Sequence, residues 1–169
     1  MVNIEKHSGV YTLTASQRLP ISLEEAWSFL SDPHNLSTIT PKEMGFEITS
    51  KTGHNTYEGQ IITYKVGILP GIKSSWVTEI KHLHAPYYFV DEQRIGPYRI
   101  WYHEHILEET ADGVLMKDKV TYKPPFGILG ELAHPWLVKA KLLKIFSYRE
   151  KVLVKKFGEM SLNEEVLEK

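Results

Sequence analysis

The chain has 169 residues, which suits one domain with a sizeable core, and its formal net charge of −1 supplies no bulk field for nucleic acid or an anionic membrane. The absence of cysteine excludes disulfides, thiolate nucleophiles and zinc–cysteine centres. No apolar run reaches the ~20 residues of a membrane span, and MVNIEKHSG lacks the apolar core of a signal peptide, so a cytoplasmic protein with no stable membrane insertion is expected.

In chain order, Tyr11, Leu13, Ala15 and Leu19 alternate with Thr12, Thr14, Ser16 and Arg18, the pattern of a half-buried strand that Pro20 ends. Ser22 opens S-L-E-E, a capping box with Glu25 at the third helical position. The helix runs through Trp27 and Leu30 and stops before Ser31-Asp32-Pro33; a second helical turn is predicted over residues 35–40, closed by Pro41. Strands are then expected around Phe46 and Ile48, over residues 57–66, around Trp76, Thr78 and Ile80, over 87–94, over 98–109 and over 114–123. Gly67-Ile68-Leu69-Pro70-Gly71 reads as an apolar loop. Pro124-Pro125-Phe126-Gly127 leads into helical sequence that Pro135 kinks or restarts.

Residues 135–157 form the longest predicted helix. At 100° per residue Trp136, Leu142, Leu143, Phe146, Leu153, Val154 and Phe157 share one face, and Lys141, Lys144, Lys151 and Lys155 the other. The lysine stripe reads as a solvated face. Residues 161–169 read as a frayed acidic tail after one domain over 1–160. The expected architecture is α+β: a curved antiparallel sheet of about seven strands around the C-terminal helix.

Asp112-Gly113 between two alternating runs is a two-residue hairpin signal. It sets Leu107 opposite Asp118, His105 opposite Val120 and His103 opposite Tyr122. Directly paired residues share a side of the sheet, so Trp101, His103 and His105 are placed with Asp118, facing the helix. The helix contributes Phe146, Arg149 and Glu150 to the same space. Ionisable groups on buried faces are costly unless paired or solvated, so a wet, polar-lined cavity is expected. The same residues also admit structural readings. His103 and His105 serve equally as histidines bonding neighbouring strands, Asp118 as a salt-bridge partner, and Trp76 and Trp101 as core. His103-x-His105 begins a metal site for which Asp91 or Asp118 is the available third ligand, but no third histidine stands at a recognised spacing, and no metal or cofactor is expected. There is no Gly-rich phosphate loop, no G-x-S-x-G and no H-E-x-x-H.

These segments resemble the START-like (SRPBCC) superfamily: L-P-I-S-L-E-E-A-W-S-F-L-S-D-P-H-N-L from Leu19, I-T-P from Ile39, Y-E-G-Q-I-I from Tyr57, W-V-T-E-I from Trp76, F-V-D-E-Q from Phe89, G-P-Y-R-I-W-Y-H-E-H from Gly96 and Y-K-P-P-F-G-I-L-G from Tyr122. The superfamily includes the birch-pollen allergen fold, polyketide cyclases and lipid-transfer domains, and the segments are similar to an uncharacterised bacterial ligand-binding branch. The resemblance implies a helix-grip fold and a hydrophobic or amphipathic small molecule held between sheet and helix. It implies Asp91, Gln93, Trp101, His103 and His105 as cavity residues, beside Trp76, Asp118, Tyr122, Phe146, Arg149 and Glu150 from the pattern. Members bind, carry or convert small molecules. The chain is thus expected to be a carrier or sensor, or else a cyclase, dehydratase or isomerase in which His103 or His105 is the general base and Asp118 or Asp91 orients it. A protein-interaction role has little support in the residues.

Overall fold

A computed structural model describes residues 2–69 and 71–160. The expected tail over 161–169, and Pro70 of the expected loop, lie outside the described residues. One antiparallel sheet carries eight strands in the order β1-β2-β8-β7-β6-β5-β4-β3. These are β1 (Val2–His7), β2 (Val10–Leu19), β3 (Glu47–Ile48), β4 (Ile61–Leu69), β5 (Ile72–His84), β6 (Tyr88–Ile95), β7 (Ile100–Thr110) and β8 (Gly113–Lys123). The first long strand therefore pairs with the last. The sheet is curved and unclosed, and a long C-terminal helix accompanies it.

The extra strand is β1. It forms a hairpin with β2 through Ser8 and Gly9, both at positive φ, the geometry of a two-residue turn that matches sheet twist. Its short alternation, Val2 and Ile4 against Asn3 and Glu5, is the signal that the sequence reading missed. The expected apolar loop is shorter than predicted, because Gly67, Ile68 and Leu69 belong to β4.

Helix α1 (Leu23–Leu30) starts as predicted, with the Ser22 hydroxyl accepting from the Glu25 N–H. The second helical turn falls earlier than expected. A 3-10 turn over Pro33–Ser37 is capped by Asp32, and another spans Lys42–Met44. Leu36 and Met44 of these turns reach the interior cavity.

The C-terminal helix starts at Gly127, not at Pro135. It comprises α2 (Gly127–Ala133), a π-helical turn (His134–Lys139) and α3 (Ala140–Phe157). Proline lacks an N–H and its ring crowds the carbonyl four residues back; a wide turn accommodates both defects without ending the helix. The wide turn also changes which residues face inward. Trp136, expected on the inner face, is 77% exposed, while His134 is buried in its place. The inserted residue shifts the α2 face by about 100° relative to α3. His134 stacks on Tyr11 with ring centres 3.7 Å apart and hydrogen-bonds the Tyr122 hydroxyl at 2.8 Å.

Leu142, Phe146, Arg149 and Leu153 form the buried face of α3. Leu153 packs with α1 and the β7–β8 end of the core, and Leu142 and Phe146 pack with Leu13, Val120 and Tyr122. Full burial of each such side chain contributes about 1.5–3 kcal/mol relative to exposure. Cavity walls draw on both clusters.

The β7–β8 register differs from the expected one by two residues. Thr110 pairs with Gly113, so Ala111 and Asp112 form the turn; His105 lies opposite Asp118, His103 opposite Val120 and Trp101 opposite Tyr122. Side chains alternate with period two, so a slip of two preserves every face assignment. Gly113 has another task. Its φ is +146°, and a Cβ there would stand 2.2 Å from the Leu19 carbonyl oxygen where β2 ends. Glycine allows this backbone approach.

Candidate functional site

Three neighbouring strands build the centre of the site as a small lattice. Asp91 of β6 pairs with His103 of β7, which pairs with Val120 of β8; one step along, Phe89 pairs with His105, which pairs with Asp118. Alternation turns all six toward one side, leaving two imidazoles with ring centres 3.8 Å apart between two carboxylates on opposite strands.

The contacts run along the diagonals. His103 Nε2 lies 3.0 Å from Asp118 Oδ1, and His105 Nε2 lies 2.8 Å from Asp91 Oδ2. The second nitrogens are close to the opposite carboxylates: His103 Nδ1 is 3.3 Å from Asp91 Oδ2, and His105 Nδ1 is 3.1 Å from Asp118 Oδ1. The latter is close but off line for a hydrogen bond. Helix α3 completes the group through Arg149, whose guanidinium sits 3.1 Å from Asp118 Oδ1. His103, His105, Asp118 and Arg149 are all buried.

These positions set the charges. Burial alone would push the His103 pKa down, but the Asp91 charge and hydrogen bonds to Asp118 and Asp91 outweigh it and raise the value to about 9. Burial would raise the Asp118 carboxyl, but Arg149, then the histidine hydrogen bonds, holds it well below the usual range. Asp91 is likewise held low against burial, by the charge and hydrogen bonds of the histidines. His103 thus rests as an imidazolium between two carboxylates, with the Arg149 guanidinium against Asp118.

Above it lies a cavity of about 190 Å³. Its walls are mainly apolar, built from Leu36, Ile39, Ile62, Val66, Leu142 and Ile145 with the aromatic rings of Trp76, Tyr98 and Trp101. Asp91, His103, His105 and Arg149 form the polar end. Two buried donors on lining residues have no partner among the described residues, the indole N–H of Trp76 and the Nε–H of Arg149. An outer groove of about 720 Å³ shares Met44, Gly67, Lys141 and Ile145 with the cavity. Lys141 closes that junction by donating from Nζ to the Gly67 carbonyl at 2.6 Å.

Of the residues anticipated from sequence, Trp76, Asp91, Trp101, His103, His105, Phe146 and Arg149 line the cavity. Asp118 stands behind the histidines as their buttress. Tyr122 is fully buried against His134. Gln93 is elsewhere: its amide bonds the Tyr98 backbone in both directions, at 2.7 and 3.2 Å, and pins the β6–β7 connection. Glu150 is exposed, because one residue beyond Arg149 is a full 100° around the helix. Gly67 and Gly71, from the segment expected as an apolar loop, line the groove. Lys141, assigned to the solvated stripe, is half-buried at the junction.

Sequence reasoning missed Tyr64, Thr78 and Lys141 as lining residues. Alternation of Ile62, Tyr64 and Val66 signals the first, and Thr78 lies between Trp76 and Ile80 in an alternation already visible. Their hydroxyls bond each other at 3.0 Å. Lys141 has no such signal. Also missed was a surface cluster beside the cavity, in which Asp32 reaches His34 Nδ1 and His54 Nδ1, each at 2.8 Å.

No protein-family profile and no curated protein matches this sequence. Solved structures match its fold. Protein Ms6760 of Mycobacterium smegmatis is 14% identical, with a TM-score of 0.65 over 92% of this chain and 99% of its own. Protein CV1439 of Chromobacterium violaceum is 13% identical, with a TM-score of 0.66 over 88% of this chain and 99% of its own. A START superfamily protein from M. smegmatis is 13% identical, with a TM-score of 0.64 over 86% of this chain and 96% of its own. The chain has the START-like, helix-grip fold. No helix among the described residues is long and apolar enough to cross a membrane.

Proposed function

We propose that this protein binds an amphipathic small molecule, apolar body against the aromatic and aliphatic walls and polar end against Trp76, His103 and Arg149. The observation that carries the reading is a mainly apolar cavity with a charged end, lined by two residues whose buried donors have no partner among the described residues. A buried N–H without an acceptor costs about 1–3 kcal/mol, and a ligand oxygen placed there recovers it. The polar end is therefore selective for an acceptor, such as a carboxylate or a carbonyl, over a donor. Fold neighbours are consistent with a ligand-binding or cyclase-type fold.

Charge disfavours His103 as the base of the catalytic alternative: a general base near neutral pH must be unprotonated, and His103 is held as its conjugate acid by two carboxylates. Native mass spectrometry of the purified protein tests the binding reading, with quenching of Trp76 and Trp101 fluorescence by medium-chain carboxylic acids as a second readout. The expected result is one retained or titratable ligand per chain, with carboxylic acids binding better than the matching amines. Equal binding of both head groups would remove the basis for an acceptor-selective polar end.

A further inference from the structure

We propose that Asp91, His103 and His105 form a mononuclear site for a divalent first-row transition ion, opening onto the cavity. One ligand atom from each lies within 4.8 Å of the other two. Asp91 Oδ2 is the common point, 2.8 Å from His105 Nε2 and 3.3 Å from His103 Nδ1. Donors on a tetrahedral ion stand about 3.3 Å apart at metal–donor distances near 2.0–2.1 Å, so the two Asp91–histidine separations need to change by at most about half an ångström.

The far side of each ring supports the same assignment. Nitrogens turned away from Asp91 both lie against Asp118 Oδ1, at 3.0 and 3.1 Å. A carboxylate hydrogen-bonded behind a metal-binding histidine fixes its tautomer; Asp118 does this for His103, holding the proton on Nε2 and the lone pair on Nδ1, whereas His105 Nδ1 lies beside Asp118 without a hydrogen bond. When both rings turn a lone pair toward Asp91, two nitrogens and a carboxylate oxygen converge on one point, and a cation that displaces the His103 proton is stabilised by all three. A proton satisfies one of these contacts at a time; a divalent ion satisfies all three. Two nitrogens and one oxygen suit zinc, iron(II), cobalt(II) or manganese(II) rather than calcium or magnesium, which prefer oxygen alone.

Net charge at the site points the same way. With both histidines neutral and Arg149 paired, a divalent ion leaves one surplus positive charge beside the apolar cavity. An anionic ligand oxygen entering an open coordination position would neutralise it. Metal binding itself does not depend on any ligand being present.

Chelator-treated, dialysed protein titrated with cobalt(II) and with zinc tests this directly. The expected result is one ion per chain by elemental analysis, with a cobalt visible spectrum of a low-coordinate nitrogen–oxygen site. Asp91→Asn and His105→Gln should each weaken binding at least tenfold while circular dichroism stays native. His54→Gln, which disables the surface cluster around Asp32, should leave the ion bound. Binding that vanishes with His54→Gln and survives Asp91→Asn overturns the proposal. So does wild-type affinity for zinc no tighter than about 100 μM at pH 7.5. Should the two buried-site variants unfold, the histidine NMR signals of the wild-type protein decide: His103 and His105 must shift on zinc addition, and shifts confined to His34 and His54 refute the site.

Discussion

Replacing Arg149 by Met tests the electrostatic logic of the site most sharply. Methionine keeps most of the stem that packs along α3 and removes the charge. The guanidinium and the Asp118 carboxylate are each nearly inaccessible to water, with side-chain exposures of 8% and 2%. Removing one partner of a buried pair costs about 3–5 kcal/mol, because the survivor keeps its desolvation penalty. At about 2.1 cal/mol/K per residue, unfolding of this chain has an entropy near 0.35 kcal/mol/K, so the melting temperature should fall by about 8–14 °C. The same loss should appear as a lower urea midpoint with an unchanged slope, in chelator-treated protein at pH 7.5. Asp118→Asn should be similarly destabilising, since it leaves Arg149 buried and unpaired. The double variant carries neither charge, and it should be no worse than the poorer single variant, a coupling of about 2 kcal/mol or more. A loss below about 1 kcal/mol for Arg149→Met, or additive single costs, would falsify the view that Arg149 offsets Asp118.

In the metal-free protein, His103 has its pKa raised above the ordinary value, so its stabilising contribution is complete below pH 6.5 and is lost as pH rises through about 9; a pH series of urea midpoints checks this, and a flat profile over that window argues against the imidazolium. His134 has the opposite sign. Burial, then the charges of Lys139 and Lys6, lowers its pKa, so stability should decline as pH falls from above 6.5, and His134→Phe, which preserves stacking on Tyr11, should flatten that slope. Ile145→Trp should fill the junction between cavity and groove and abolish carboxylic acid binding at a stability cost of about 1–3 kcal/mol, read by fluorescence titration and thermal melts. Gly113→Ala should cost more than Gly59→Ala, although both have positive φ, because only Gly113 faces a backbone oxygen; about 1–3 kcal/mol of conformational strain is common to both, and the excess measured by denaturation is the clash.

Patterns of period two and 3.6 made the fold legible. Alternation around Trp76, along β7 and along β8 fixed which side chains face inward, and the Ser22 box fixed the start of α1. The register error of two residues was harmless because faces repeat every second residue, so His103, His105 and Asp118 still met. Where the period itself changed, the reading failed. The π turn around Pro135 rotates the α2 face, and no linear pattern announces it; hence Trp136 lies outside and His134 inside.

Alone, the sequence determined the order of elements, the inward face of β7 and β8, and the chemical types gathered between sheet and helix, since these depend on local propensity and periodicity. Only the tertiary structure decided that Asp91 faces both imidazoles, that Arg149 reaches Asp118 while its neighbour Glu150 does not, and that Gln93 is spent on the Tyr98 backbone. Those outcomes depend on how three strands and a helix are placed to within an ångström. Charge interactions change steeply over that distance inside a protein, so side chains adjacent in sequence acquire unrelated roles.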